Sequence, residues 1–317
     1  TGLYKLTKVI SRIDNNKNTL TNLIKEVNKV NANIHKYNEV VFDLSKYTRA
    51  RPHVLSVLTV FKEKIFKNHP HLIVSLIEPE YENTSTYVNR MGFYETNSFD
   101  YTEYPYNKHS SEGRFIELKF FNKDNQDNIN SELEKIFLNM KIPKDMVRAL
   151  SFSLAEIIDN TCCHSESKFK NFICAQKFSD CVRVSIVDGG IGIASSLCQS
   201  AEYGNRGFSN VDLIEMSIEK SVSSKLNDGE RAHQGFGLYA INQIAKMNGG
   251  SLEIHSNDAN LITENNETKV IDAGNWNGTI IYLTLNIEYD VYRWRKIWEE
   301  LFDDDPPFIS EFDDFLF

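Results

Sequence analysis

The chain has 317 residues, 41% of them hydrophobic and 25% charged, with a formal net charge of −9, enough for one large core or two ordinary ones. No apolar run approaches the roughly 20 residues of a membrane-spanning helix. The acidic balance argues against a protein that coats duplex nucleic acid, because such affinity comes largely from neutralising phosphates.

The opening TGLYKLTKVI lacks the charged–apolar–small pattern of a signal peptide, so the cytoplasm is the expected location. Leu20, Leu23, Ile24, Val27 and Val30 have the spacing of an amphipathic helix over residues 18–34. Residues 39–43 read as a strand. Pro52 suits the first turn of the next helix, whose apolar face is Val54, Leu55, Leu58 and Phe61. Residues 71–77 form another predicted strand, and a polar helix around 87–91 stops at Gly92. Residues 94–113 are polar and aromatic without periodicity, which places a domain boundary there.

A strand over 115–121 and a helix over 131–140 open the second half. Pro143 then starts a long helix with Val147, Leu150, Leu154, Ile157, Ile158 and Thr161 in one stripe. Strands follow at 171–177 and 182–187. Residues 194–234 contain no clear strand and many Ser, Asn, Gly and charged residues, the composition of a mobile loop. A helix over 238–247 stops at Gly249-Gly250, and strands over 252–255 and 279–285 close the domain. Five cysteines (Cys162, Cys163, Cys174, Cys181, Cys198) show neither a paired framework nor metal-ligand spacing, and read as reduced and mostly buried. The tail after Tyr289 intersperses Trp294, Trp298, Phe302, Phe308, Phe312, Leu316 and Phe317 with acids. It reads as a C-terminal helix docked on its own domain or as a partner-binding segment.

Three segments carry candidate chemistry. Glu156, Asn160 and His164 stack along one polar stripe of the long helix. A carboxylate can polarise water and an amide oxygen can hold Mg²⁺; a solvated helix edge would look the same. Asp188 ends an apolar strand with no cation in the turn after it, so it needs a donor. The exocyclic amine of adenine is one such donor, with Gly190 and Gly192 letting a flat base lie against the backbone; a plain Asp-Gly turn is the alternative. Gly235 and Gly237 open a helix whose N–H groups attract anions, or else form a simple hinge. Lys225, Arg231 and His233 lie just upstream, within reach of a terminal phosphate.

In this order, with Gly278-Thr279 following, the segments resemble the GHKL (Bergerat-fold) superfamily of ATPases and kinases over residues 113–288. The resemblance makes Glu156 the general base and Asn160 the Mg²⁺ ligand. Asp188, Gly190 and Gly192 match its adenine-binding DxGxG. Gly235, Gly237 and Leu238 match its phosphate-side turn, and Thr279 matches the threonine beside the adenine-bound water. Ser223-Ser224-Lys225 is similar to the lid of histidine-kinase-like members. Neither His35 nor His53 has the surroundings of a phospho-acceptor histidine. Glu156 stands where histidine kinases usually carry Asn, which is similar to hydrolytic members and to anti-sigma serine kinases. Residues 40–58 resemble the strand–loop–helix centre of STAS domains, with Pro52 and His53 where antagonists carry the phosphorylated serine; a generic βαβ unit would read alike.

The expectation is an α/β protein of two domains with a tail. Residues 1–112 would be a STAS-like interaction domain. Residues 113–290 would be a GHKL α/β sandwich, a mixed sheet with helices on one face, and residues 291–317 the tail. ATP and Mg²⁺ are the expected cofactors, with slow hydrolysis moving a lid over 194–234 and so changing contacts with a protein partner or a second copy. A serine kinase acting on a separate protein and a non-hydrolysing ATP sensor are the alternatives.

Overall fold

The computed structural model describes residues 7–10, 19–48, 51–106, 109–164, 168–204, 206–220, 222, 236–287, 294–297 and 299. Among them it is a mixed α/β fold with two sheets and ten α-helices. No described helix is long and apolar enough to cross a membrane.

The first sheet is parallel. Strand β1 (Thr7–Ile10) leads through α1 (Thr19–Asn31) to β2 (Glu39–Asp43), and α2 (Pro52–Asn68) leads to β3 (Ile73–Ile77). The spatial order is β1-β2-β3, with Val40 opposite Val74 and Lys8. Parallel neighbours require such crossovers. Two short helices, α3 (Glu82–Arg90) and α4 (Phe93–Asn97), follow. Gly92 between them has φ 74°, the left-handed geometry that favours glycine. Thus the stretch read as irregular from Tyr94 onward begins with a helix, pinned by buried Phe93 and Tyr94.

The second sheet has the order β4-β5-β6-β8-β7. Its strands are β4 (Phe115–Phe121), β5 (Asn171–Lys177), β6 (Cys181–Val187), β7 (Ser251–Glu264) and β8 (Glu267–Asn286). Every pair is antiparallel, so the expected mixed sheet is corrected. One face carries Ile173, Val184, Ile186, Ile281 and Leu283, packed with α5 (Gln126–Leu138), α6 (Lys144–His164) and α10 (Phe236–Met247). The opposite face, with Phe172, Cys174, Val187 and Ile280, shares a core with α1 and α2. Helices therefore cover both faces rather than one.

This position explains α2. Its residues 52–61 are all buried, because one side meets the parallel sheet and the other the antiparallel sheet. A helix apolar around most of its girth can be stable only in such a place.

Two further expectations are corrected. Thr279 does not begin a strand; it lies inside the 20-residue β8, which forms a long hairpin with β7. Asn265 and Asn266, both at positive φ (52° and 65°), make the tight turn that joins them. The segment 194–234 is not simply a loop. It holds α7 (Ile193–Cys198), α8 (Ala201–Gly204) and α9 (Asn210–Met216). These helices bury Ala194, Leu197, Tyr203 and Leu213 in a small core of their own, and residues 223–234 lie outside the described residues. All five cysteines are free, but only Cys174 and Cys181 are buried and Cys198 is exposed. Trp294 and Ile297 are buried in the core under the antiparallel sheet, so the tail begins docked on its own half; Trp298 and residues 300–317 lie outside the described residues.

Candidate functional site

The long helix α6 is placed by its stripe: Val147, Leu150, Leu154, Ile157 and Ile158 are all buried. Glu156 stands at the edge of this stripe, where α10 crosses. A Cβ on Gly237 would lie 2.8 Å from the Ser153 carbonyl oxygen and 2.9 Å from Glu156 Oε2. Glycine is therefore needed for α10 to abut α6, a helix contact and not only a clearance for phosphate. Burial pushes the Glu156 carboxyl up to about 7, and the charge of Asp159 pushes the same way, while the Gly237 N–H pulls it down. Its Oε2 is buried without a hydrogen-bond partner. A half-protonated carboxyl with an idle oxygen suits proton transfer.

Asn160 is exposed on the same helix, and the side chain of His164 lies outside the described residues. Leu238 is half-buried in α10 against the core. Gly235 and Lys225, with Arg231 and His233, fall outside the described residues.

Asp188 follows β6 and is 3% exposed. Its Oδ1 accepts the Gly190 N–H at 2.7 Å and its Oδ2 the Thr279 N–H at 3.1 Å. The backbone closes the same contact, Asp188 N–H donating to the Thr279 carbonyl at 2.9 Å. Burial raises the carboxyl to about 6, against the hydrogen bonds from Gly190 and Thr279 and the charge of Lys64. The Thr279 hydroxyl bonds to the carboxyl as well; a carboxylate has about four acceptor sites, so room for one more donor remains. The close approach of β8 depends on Gly278, at φ 124°, where a Cβ would lie 2.3 Å from the Asp188 carbonyl oxygen.

Gly192 has a different reason from the one its spacing suggests. It sits at φ 85°, and a Cβ there would meet Asn257 Oδ1 at 2.5 Å and Ser256 Oγ at 2.6 Å. The missing side chain makes room for protein rather than for a base. Ser256 Oγ accepts the Ile193 N–H at 2.8 Å and donates to the Gly278 carbonyl at 3.0 Å. Asn257 Nδ2 donates to the Ile191 carbonyl at 3.0 Å. The turn after Asp188 is thus stitched to an irregularity in β7, where Asn257 has φ 55°.

Four sequence segments are therefore brought together in two pairs, Glu156 with Gly237 and Asp188 with Gly190 and Thr279. Two further residues join the site beyond the sequence motifs. Trp276 Nε1 donates to the Asp188 carbonyl at 2.9 Å. Lys64, 213 residues away on α2, donates to the Asn277 carbonyl at 2.5 Å. A lone tryptophan in an Asn-rich run could have been flagged; the lysine could not.

Among the described residues no three His, Cys, Asp or Glu cluster as a metal cage. A Mg²⁺ ion held by Asn160 would need oxygen ligands from phosphates, which is how Mg²⁺ commonly binds beside nucleotides. Compared with known proteins, the chain matches no family model, and no curated protein matches it.

Proposed function

We propose that residues 113–290 form an ATP site of the GHKL kind and that the chain hydrolyses ATP slowly with Mg²⁺. The observation that supports this most is Asp188. It is a buried carboxylate at a strand end, its two oxygens oriented by the N–H groups of Gly190 and Thr279, with capacity for an adenine amine. The pairing of Glu156 with the N-terminal turn of α10 supports the same reading, because helix N-termini favour phosphate.

In this mechanism Asp188 accepts from the adenine amino group and so excludes bases that present a carbonyl there. The first turn of α10 receives the phosphates. Glu156 takes a proton from water as its oxygen bonds to the terminal phosphorus and the bond to the ADP oxygen breaks. Asn160 would supply an amide oxygen to Mg²⁺, which would neutralise phosphate charge. The contact of Trp276 with the Asp188 carbonyl, and of Lys64 with Trp276, gives an occupied site a physical route to the first half. That half, or the tail, is where a protein partner or second copy would sense it.

The test is a thermal-shift and phosphate-release experiment on the full chain with ATP and GTP, each with and without Mg²⁺. At about 100 times its Kd a ligand adds about 2.7 kcal/mol, several degrees in Tm. ATP with Mg²⁺ should produce that shift and release phosphate, and GTP should do neither. Label passing to an added protein instead would point to the kinase alternative. A shift without phosphate release would point to a sensor, and no shift with any nucleotide ends the proposal.

A further inference from the structure

Away from all the motif residues, an open cavity of about 560 Å³ lies where α3 meets the edge strand β4 and the β5–β6 turn. Its volume falls in the range of small-molecule sites, roughly 300–1,000 Å³. Helix α3 contributes the stripe Asn83, Thr86, Tyr87 and Arg90, spaced to share one helical face. The second half contributes the opposite wall.

The charge of the lining departs from that of the chain. Among the described residues three cationic side chains, Arg90, Arg114 and Lys177, line the cavity, and no Asp or Glu does, although the whole chain carries −9. Arg90 is already committed: it pairs with Glu117, donates to the His109 carbonyl at 2.9 Å and lies over the Phe115 ring at 4.3 Å. Arg114 and Lys177 form no ion pair among the described residues. They are held side by side by a backbone hydrogen bond, Lys177 N–H to the Arg114 carbonyl at 2.7 Å. Arg114 is exposed and Lys177 half-buried, so neither charge is spent on the fold.

The remaining walls are flat and aromatic. Phe178 lines the cavity with the Arg183 guanidinium 4.8 Å from its ring, and Tyr106 lines it while 38% exposed. The Tyr87 hydroxyl donates to the Gln176 side-chain carbonyl, which fixes an amide in the lining of the cleft. Flat rings offer stacking surface, and paired cations offer anion recognition.

We propose that this cleft binds a small, flat aromatic anion, an aryl or heteroaryl group carrying phosphate, with Arg114 and Lys177 holding the phosphate. Because its walls come from both halves, the bound molecule bridges them.

The experiment is calorimetric titration of the full chain with 1-naphthyl phosphate, 1-naphthol and inorganic phosphate. The aryl phosphate should bind, more weakly as salt rises, and naphthol should bind far less. Arg114→Glu and Lys177→Glu should each weaken binding about tenfold or more with Tm unchanged, since both side chains reach solvent. Asp188→Asn should leave it unaltered, which separates this cleft from the proposed ATP site. The proposal is overturned by absence of aryl phosphate binding at millimolar concentration, by parental affinity in the double charge reversal, by naphthol binding equally well, or by loss of binding in Asp188→Asn.

Discussion

The Lys64 ammonium sits 3.7 Å above the ring of Trp276, a cation–π contact between helix α2 of the first half and strand β8 of the second. The same indole donates to the Asp188 carbonyl, and burial brings the Lys64 ammonium down to about 7. A charge from one half thus props the strand end that holds the candidate adenine carboxylate. Because that charge lowers the Asp188 carboxyl, Lys64→Met should raise it further. ATP affinity in the variant should then begin to fall at a higher pH than in the parent. Superimposable pH profiles would show that the lysine is structural only.

Asp188→Asn should weaken ATP roughly 10- to 150-fold, because a hydrogen bond to a charged group is worth about 1.5–3 kcal/mol. Titration with ATP and GTP checks the assignment. Equal affinity of the parent for both nucleotides would remove Asp188 from base recognition.

Glu156→Ala should keep ATP binding and lose on the order of 10²–10⁴ in turnover. With a carboxyl raised to about 7, the base form grows as pH rises. The parental rate should therefore climb through about pH 7 and level above it. A flat profile between pH 6 and about pH 8, or parental turnover in the alanine variant, excludes Glu156 as the base.

His53 is 1% exposed, with neither ring nitrogen hydrogen-bonded, and its ring lies 4.0 Å from that of Tyr282. Burial, and the charges of Arg51 and Arg183, bring it down to about 3. A depressed value means the folded state holds the neutral form. The associated stability is present above about 6.5 and lost as pH falls toward about 3. The raised carboxyls Glu156, Asp188 and Glu253 act in the opposite sense. They are common to parent and variant, so the difference isolates the histidine. His53→Phe should be neutral or stabilising at pH 7 and should flatten the acid limb by roughly a few kcal/mol. Denaturant melts from pH 3 to about pH 7 decide it, and parallel curves would contradict the prediction.

Gly278→Ala forces a Cβ to within 2.3 Å of the Asp188 carbonyl oxygen at φ 124°, and backbone cannot yield as a side chain would. The expected loss is about 2 kcal/mol or more, read as a lower denaturant midpoint together with weaker ATP binding. An unaltered midpoint would mean that β8 can shift away from Asp188 without penalty.

Sequence periodicity located what packing alone dictates. The α6 stripe, the strands at 39–43 and 115–121, and Pro52 at a helix start all stand as read, since each is set by local patterning. In sequence the β7–β8 hairpin reads as two short strands because Asn257, Asp258, Gly274, Asn275 and Asn277 interrupt its apolar alternation, and pairing with a neighbour overrides that weak propensity. The helices over 193–216 were hidden by polar composition, although Ser209 and Asp212 form a capping box, a signal present in the sequence. At the site, residue identities were legible and their reasons only partly so. Gly192 reads as a clearance for a base and Gly237 as part of an anion-attracting helix start or a hinge, whereas Asn257 and Glu156 fill the spaces beside them. Such contacts join residues about 65 and 81 positions apart and leave no local trace.

The burial of α2 between two sheets bears on how this chain can be taken apart. Cutting it near residue 112 would strip the cover from Phe172, Cys174, Val187 and Ile280, leaving a greasy ladder open to solvent. Neither piece is a portable cartridge. A fragment spanning 113–290 should precipitate or self-associate where the whole chain stays dispersed, and sedimentation of the two side by side would reveal it. Any inheritance of this arrangement must therefore carry both pieces as one indivisible unit.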